Sequence, residues 1–179
     1  MLTLGTGVGG AVIENGRLLV GARGIAAELG HVIVEPDGVV CGCGQRGCVE
    51  TVSSGTAMMA MVSAETGQQV TTSAELQRLL ESDDALVDLV VGRVARGVIQ
   101  ALINIQAVLD PPVAIIGGGV GERLGGVLES HLDSAQSELL AGRRSAAFPE
   151  IRFAQLGNRA GALGAALLAS TPAADAPDR

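Results

Sequence analysis

Residues 28–50 read ELGHVIVEPDGVVCGCGQRGCVE, and they hold every cysteine of the chain together with one of its two histidines. Nine residues separate His31 from Cys41, one separates Cys41 from Cys43, and four separate Cys43 from Cys48. Three thiolates and an imidazole make up the ligand set of a closed tetrahedral zinc site. Gly42, Gly44 and Gly47 let the backbone fold tightly enough to aim three sulfurs inward. Cys-x-Cys is shorter than the spacing of a zinc finger. Two readings compete with the metal: a disulfide with one free thiol, and three buried thiols acting as small hydrophobes. Buried apolar cysteines scatter through a core, whereas this loop is polar and glycine-rich, which favours zinc. Four protein ligands leave no position for an activated water, so the ion would be structural and would contribute to the folding of its own loop.

Two carboxylates flank the cluster. Glu28 lies three residues before His31 and Glu50 two after Cys48. Most glutamates are solvated surface acids. Beside a rigid metal loop they can instead accept hydrogen bonds from the hydroxyl groups of a polar ligand. His31 would ligate the metal through one ring nitrogen and keep the other for that ligand. His131, in a predicted helix with Glu129 and Asp133, reads as exposed.

Moving outward, the spacing predicts strands at about 2–4, 8–14 and 17–20, with Asn15-Gly16 as a two-residue hairpin turn. GIAAELGH reads as a short helical turn ended by Gly30, followed by a strand through Val32-Ile33-Val34 and a turn at Pro36-Asp37-Gly38. Ser54 is placed as the cap of a helix reaching about Ala64, and Ser73 as the cap of another over AELQRLLES. Residues 84–110 carry the strongest pattern. Arg93, Arg96, Gln100 and Asn104 recur at steps of three and four, one narrow polar stripe on an otherwise apolar helix. PVAIIGGGVGERL reads as buried strand, glycine turn and helix; Glu150–Phe153 as a short strand; GNRAGALGAALLAS as a final helix. Residues 171–179 have the composition of a disordered tail.

GTGVGG (residues 5–10) and GGG (residues 117–119) can each bring backbone N–H groups against an anion, the second with a helix N-terminus behind it. Neither matches G-x-x-x-x-G-K-[ST], and a strand-to-strand setting argues against a dinucleotide fingerprint for the first. Hairpin and turn glycines are the plainer reading, and the presence of two such loops tilts it toward nucleotide.

Composition narrows the functional classes. A chain of 179 residues, 47% hydrophobic and 17% charged, suits one globular unit. Phe148 and Phe153 are its only aromatics, so stacking on bases is nearly excluded. The net charge of −7 provides no field for a phosphate backbone, which makes direct nucleic-acid contact an unfavoured expectation. The apolar runs are broken well short of a bilayer span. With no basic, apolar leader and an odd number of cysteines, a cytoplasmic location is expected.

Taken in order, GTGVGG, AELGH, CGCGQRGCVE, IIGGG and GNRAGALGAALLA resemble the C-terminal half of the ROK family (repressors, open reading frames and sugar kinases), over about residues 2–169. That resemblance implies an α/β fold: one lobe of the actin-like (ribonuclease H-like) ATPase fold, a mixed sheet with packed helices and a zinc-bearing loop at 31–50, spanning residues 1–170. It implies sugar contacts at Glu28, His31 and Glu50, and structural Zn2+ on His31, Cys41, Cys43 and Cys48. Gly5, Thr6 and Gly7 match the phosphate loop, and Gly117, Gly118 and Gly119 the adenosine segment, with ATP and Mg2+ as cofactors, a hexose (glucose first) as substrate and a homo-oligomeric assembly. Ala27 departs from the family, which usually has glycine before the glutamate. Nothing here matches the Asp-x-Gly-x-Thr loop or the aspartate base of the family's N-terminal lobe, so the expectation is a lobe without its catalytic base, inactive as a kinase by itself. A sugar-sensing repressor of the same family is the alternative, and a zinc-stabilised scaffold that dimerises through residues 84–110 is a third reading.

Overall fold

The structure is a computed structural model that describes residues 1–142 and 148–170; the tail expected at 171–179 lies outside the described residues. Its strands are β1 (Leu2–Leu4), β2 (Val8–Gly10), β3 (Ile13–Glu14), β4 (Arg17–Leu18), β5 (Val113–Gly117) and β6 (Glu150–Phe153). The main sheet runs β2-β1-β5-β6, antiparallel between β1 and β2 and parallel elsewhere. It is therefore mixed, and β1 and β5 lie inside it, which is why Leu2, Leu4 and Ile116 are almost wholly buried.

The expected strand over 8–14 is two strands. β2 leaves the sheet at Gly10, while β3 pairs only with β4 in a separate ribbon turned at Asn15 and Gly16, whose φ angles are 50° and 76°. Two successive positive φ values are what a tight hairpin turn requires. β4 stops at Leu18 rather than at residue 20, although the Leu19 N–H still donates to the Val12 carbonyl at 2.9 Å.

The helices are α1 (Glu50–Ser53), α2 (Gly55–Thr66), α3 (Ser73–Ser82), α4 (Asp84–Leu109), α5 (Gly118–Leu139) and α6 (Ala160–Ser170). Ser54 caps α2 as expected, accepting from the Ala57 N–H at 3.0 Å, and Gly67 ends it at φ 68°. For α3 the cap is Thr72 and not Ser73, because Thr72 and Glu75 form a reciprocal capping box while Ser73 already lies in the first turn. α1 was not expected; four residues are too few to show a period.

α4 is the centre of the core. Val90, Val91, Val94, Ala95, Val98, Ile99 and Ala101 are fully buried, while Arg93 and Arg96 are exposed and Gln100 and Asn104 half-buried. The polar stripe is real, and most of the helix around it packs, with Leu89 and Val108 left exposed. α5 begins directly at Gly118 and is broken at Gly125, where φ is 42° and ψ −123°. No helix among the described residues is long and apolar enough to cross a membrane.

Candidate functional site

The segment after the β ribbon is folded by close backbone approach. Residues 29–31 form one 3-10 turn, and Gly30 sits inside it rather than ending it, because a Cβ there would lie 2.0 Å from the Val8 carbonyl oxygen. Val32–Val34 does not form the expected strand. Only Ile33 pairs, opposite Cys48, since the Gly47 carbonyl accepts from both Val34 and Glu35 (2.8 and 3.1 Å) and the chain turns at once through the expected turn, closed from Gly38 N–H to Glu35 carbonyl at 2.8 Å. This pairing brings the two ends of the cysteine loop together.

His31, Cys41, Cys43 and Cys48 converge there, with one ligand atom of each within 4.8 Å of all the others. The His31 Nδ1 faces the Cys41 Sγ at 3.7 Å, and the Cys43 and Cys48 sulfurs are 3.6 Å apart. Ligands on a tetrahedral zinc with Zn–S near 2.3 Å stand about 3.5–3.8 Å from one another, so these two pairs match its spacing and the donor set fits the ion in number and type. All three cysteines are free thiols, which sets the disulfide reading aside in this structure. Without a cation, burial first and then the neighbouring Cys43 and Cys41 sulfurs push the Cys48 thiol up to about 12. Cys43, exposed, is lowered, first by a hydrogen bond with the Gln45 backbone. Packing so many thiols together disfavours thiolate charge unless a cation compensates it.

Glu50 opens α1 and reaches out of the thiol–imidazole cluster. Its Oε2 accepts from the Val8 N–H at 3.0 Å, and its Oε1 lies 3.8 Å from the Cys41 Sγ. Gly7 makes this possible, because a Cβ on it would stand 2.3 Å from Glu50 Oε2. The glycine loop between β1 and β2 is fixed from its other side by α2: Gly55 N–H donates to the Gly5 carbonyl (2.7 Å) and the Thr56 hydroxyl to the Thr6 carbonyl (2.8 Å). Gly118, at φ 86°, brings the second glycine turn to within van der Waals range of β1, where a Cβ would lie 2.4 Å from the Leu4 carbonyl oxygen. Gly5, Gly7, Glu50 and Gly118 thus share the lining of one open cavity of about 370 Å³.

The remaining sequence-predicted residues fall differently. Glu28 is exposed at the start of the 3-10 turn and its carbonyl accepts from the His31 N–H at 3.1 Å. Ala27 holds φ 64°, the left-handed region that glycine occupies without strain. Gly117 ends β5 as the residue capping α5, and Gly119 lies in the first turn of that helix. His131, expected to be exposed, is half-buried between helices: its Nδ1 is 2.8 Å from the Val127 carbonyl oxygen and its Nε2 3.1 Å from Asp88 of α4. The packing of α5 on α4 draws it in. Sequence reasoning missed a cavity of about 280 Å³ among α2, α3, α4 and α5, lined by Met58, Leu76, Leu80, Val91, Val120 and Arg123 among others. Four separate helices contribute to it, so no local pattern announces it.

Fold and site together define one lobe of the actin-like α/β fold. A ROK hexokinase from Thermus thermophilus superposes with a TM-score of 0.81 at 37% identity, covering 93% of this chain and 56% of that one. A ROK family glucokinase from Streptomyces griseus, solved with glucose and AMPPNP, gives a TM-score of 0.78 at 32% identity, covering 93% and 58%. A sequence model of the ROK family matches residues 1–172, and the chain belongs to that family. The N-acetylmannosamine kinase of Yersinia pestis (strain Pestoides F) is 44% identical over 126 residues, which are 69% of this chain and 42% of that protein. The chain spans under half the length of this relative and a little over half of the two solved ones.

Proposed function

We propose that residues 1–170 are the zinc-bearing lobe of an ATP-dependent hexose kinase, acting with the catalytic base of a second lobe. The observation that carries this reading is the placement of Glu50, which ties the glycine loop, through the Val8 N–H, to the metal pocket, through Cys41. A carboxylate anchored at that junction can present its remaining lone pairs to a sugar hydroxyl close to the place where a phosphate would sit. His31, Cys41, Cys43 and Cys48 hold structural zinc, whose chemistry here is to neutralise the thiolates and order the loop. His31 then presents its Nε2, and Glu28 its exposed carboxylate, to the same sugar. The loop Gly5, Thr6 and Gly7, whose Gly5 N–H is given to the Gly7 carbonyl at 2.9 Å and so shapes the turn, offers the Thr6 and Gly7 N–H groups to the phosphates of ATP–Mg2+. Gly117–Gly119 face the adenosine, with the 280 Å³ cavity beside the first turn of α5 large enough to take an apolar, planar group.

Phosphoryl transfer needs positioning, charge stabilisation and an acceptor for the hydroxyl proton. The 179 residues contain no Asp-x-Gly-x-Thr stretch. The chain by itself is therefore expected to bind ligands without turnover, and normal glucose-dependent ATP consumption in a coupled assay would refute that. The test of the site is metal and sugar together. Elemental analysis of the reduced protein should find one zinc per chain, and glucose or N-acetylmannosamine should raise the unfolding temperature of the zinc form. No stoichiometric metal, or no shift with either sugar, would overturn the proposal.

A further inference from the structure

The polar stripe of α4 has no part in the chemistry just described, yet three of its four residues point at the segment between His31 and the cysteine loop or brace a residue that does. Asn104 Nδ2 donates to the Ile33 carbonyl at 3.0 Å, across 71 residues of sequence. Gln100 Nε2 donates to Asn104 Oδ1 at 3.1 Å, which fixes the amide with its NH2 toward Ile33. One helical stretch further along, Arg93 grips Glu35 with two parallel bonds, Nε to Oε1 at 3.3 Å and Nη2 to Oε2 at 2.9 Å.

Why Ile33 needs such a partner follows from its pairing. Opposite Cys48 it forms a pair whose flanking bonds belong to its neighbours, Val49 N–H to the Val32 carbonyl (2.9 Å) and Val34 N–H to the Gly47 carbonyl (2.8 Å). The Ile33 carbonyl then points out of the ladder, away from Cys48. Among the described residues no strand lies beyond it, and Asn104 stands where the next strand would be. The same helix also seats α1. Gly97 has no side chain because a Cβ there would lie 2.6 Å from Ser53 Oγ and 3.0 Å from Val52, and the Ser53 hydroxyl donates to the Val94 carbonyl at 2.9 Å. One long helix, buried over most of its middle, therefore supports both flanks of the cluster, the strand-like segment after His31 and the short helix that begins with Glu50.

We infer that Asn104, braced by Gln100 and seconded by Arg93, is a positioning residue: it holds the 32–35 segment on α4 and so sets where His31 and Cys48 stand when the metal is bound. This rests on the zinc reading of the cluster, but its structural half does not. A hydrogen bond of this kind, lost from the folded segment, changes an opening equilibrium about three- to tenfold.

The experiment uses the full 179-residue chain, metal-free and zinc-loaded, with Asn104→Ala, Asn104→Asp and a core control, Leu132→Ala in α5. Hydrogen exchange is followed over residues 32–49 and over α5, and zinc release to a chelator is timed. The expected result is exchange about three- to tenfold faster at 32–49 in Asn104→Ala, with α5 unchanged and zinc leaving faster by a similar factor. Asn104→Asp should exceed it, since a carboxylate would face the Ile33 carbonyl. Leu132→Ala should loosen α5 without singling out 32–49. If both Asn104 variants exchange within twofold of wild type at 32–49 in both forms, the inference is wrong. If the segment loosens but the wild-type chain takes up no zinc, the clamp stands and the metal reading fails.

Discussion

Gly47→Ala should break the metal loop while leaving the lobe folded. Gly47 holds φ 69°, and a Cβ built on it would lie 1.5 Å from the Glu35 carbonyl oxygen, a contact with backbone that no rotamer can relieve. The left-handed conformation costs an alanine about 1 kcal/mol. Moving the backbone apart to make room also gives up the bonds that close the loop: Val34 and Glu35 N–H to the Gly47 carbonyl, and Gly47 N–H to the Val39 carbonyl at 2.9 Å. At roughly 1 kcal/mol each these bring the total to about 4 kcal/mol. At about 1.4 kcal/mol per decade, zinc affinity should fall by two to three orders of magnitude. Competition against a chelator of known affinity, on reduced protein, measures it directly. Gly42→Ala is the control, because nothing lies within 4 Å of a Cβ there and its φ is not left-handed; it should change affinity little. If Gly47→Ala binds zinc within threefold of wild type, the loop is not held by the contacts described and the reasoning fails.

Ala27→Gly should stabilise the chain by about 0.5–1 kcal/mol, because the left-handed strain at φ 64° removed from alanine exceeds the extra chain entropy of glycine; a lower urea midpoint would refute this. Glu50→Gln keeps an amide oxygen for the Val8 N–H and should retain one zinc by elemental analysis, but the sugar-dependent rise in unfolding temperature should disappear; loss of zinc would make Glu50 a structural residue instead. Glu75 is held below its ordinary value of 4.5 by the Thr71 N–H, then by the Thr72 hydroxyl and N–H. Its stabilisation is therefore complete above that value and is lost as the pH falls through the lower, folded one. The stability gap between wild type and Glu75→Gln in urea should be open at pH 7 and should narrow as the pH falls below the ordinary carboxylate value, and a gap that widens on acidification would contradict the capping box.

The parts of this protein legible in its sequence are those decided within a few residues. That His31, Cys41, Cys43 and Cys48 could act together is a matter of residue type and spacing, and the structure brings the four side chains into one cluster. Ser54 and the α4 stripe follow likewise, since a cap satisfies N–H groups two or three residues away and a helix face repeats every three or four. Where reading by spacing went astray, a longer-range contact had intervened. The strand at Val32–Val34 is curtailed because the Gly47 carbonyl serves two N–H groups, Gly30 is required by Val8 rather than by a helix end, and His131 is drawn inward by Asp88 on another helix.

Sequence alone determined the chemistry on offer: which groups can take a metal, which loops can face an anion, and which helix must be buried. Only the tertiary structure decided what those groups do to one another. The joining of Glu50 to Val8 spans 42 residues, and that of Asn104 to Ile33 spans 71. Hydrogen bonds of that reach depend on the packing of α4 against its neighbouring helices, because the entropy of closing so long a loop is offset by apolar burial and not by the bond itself.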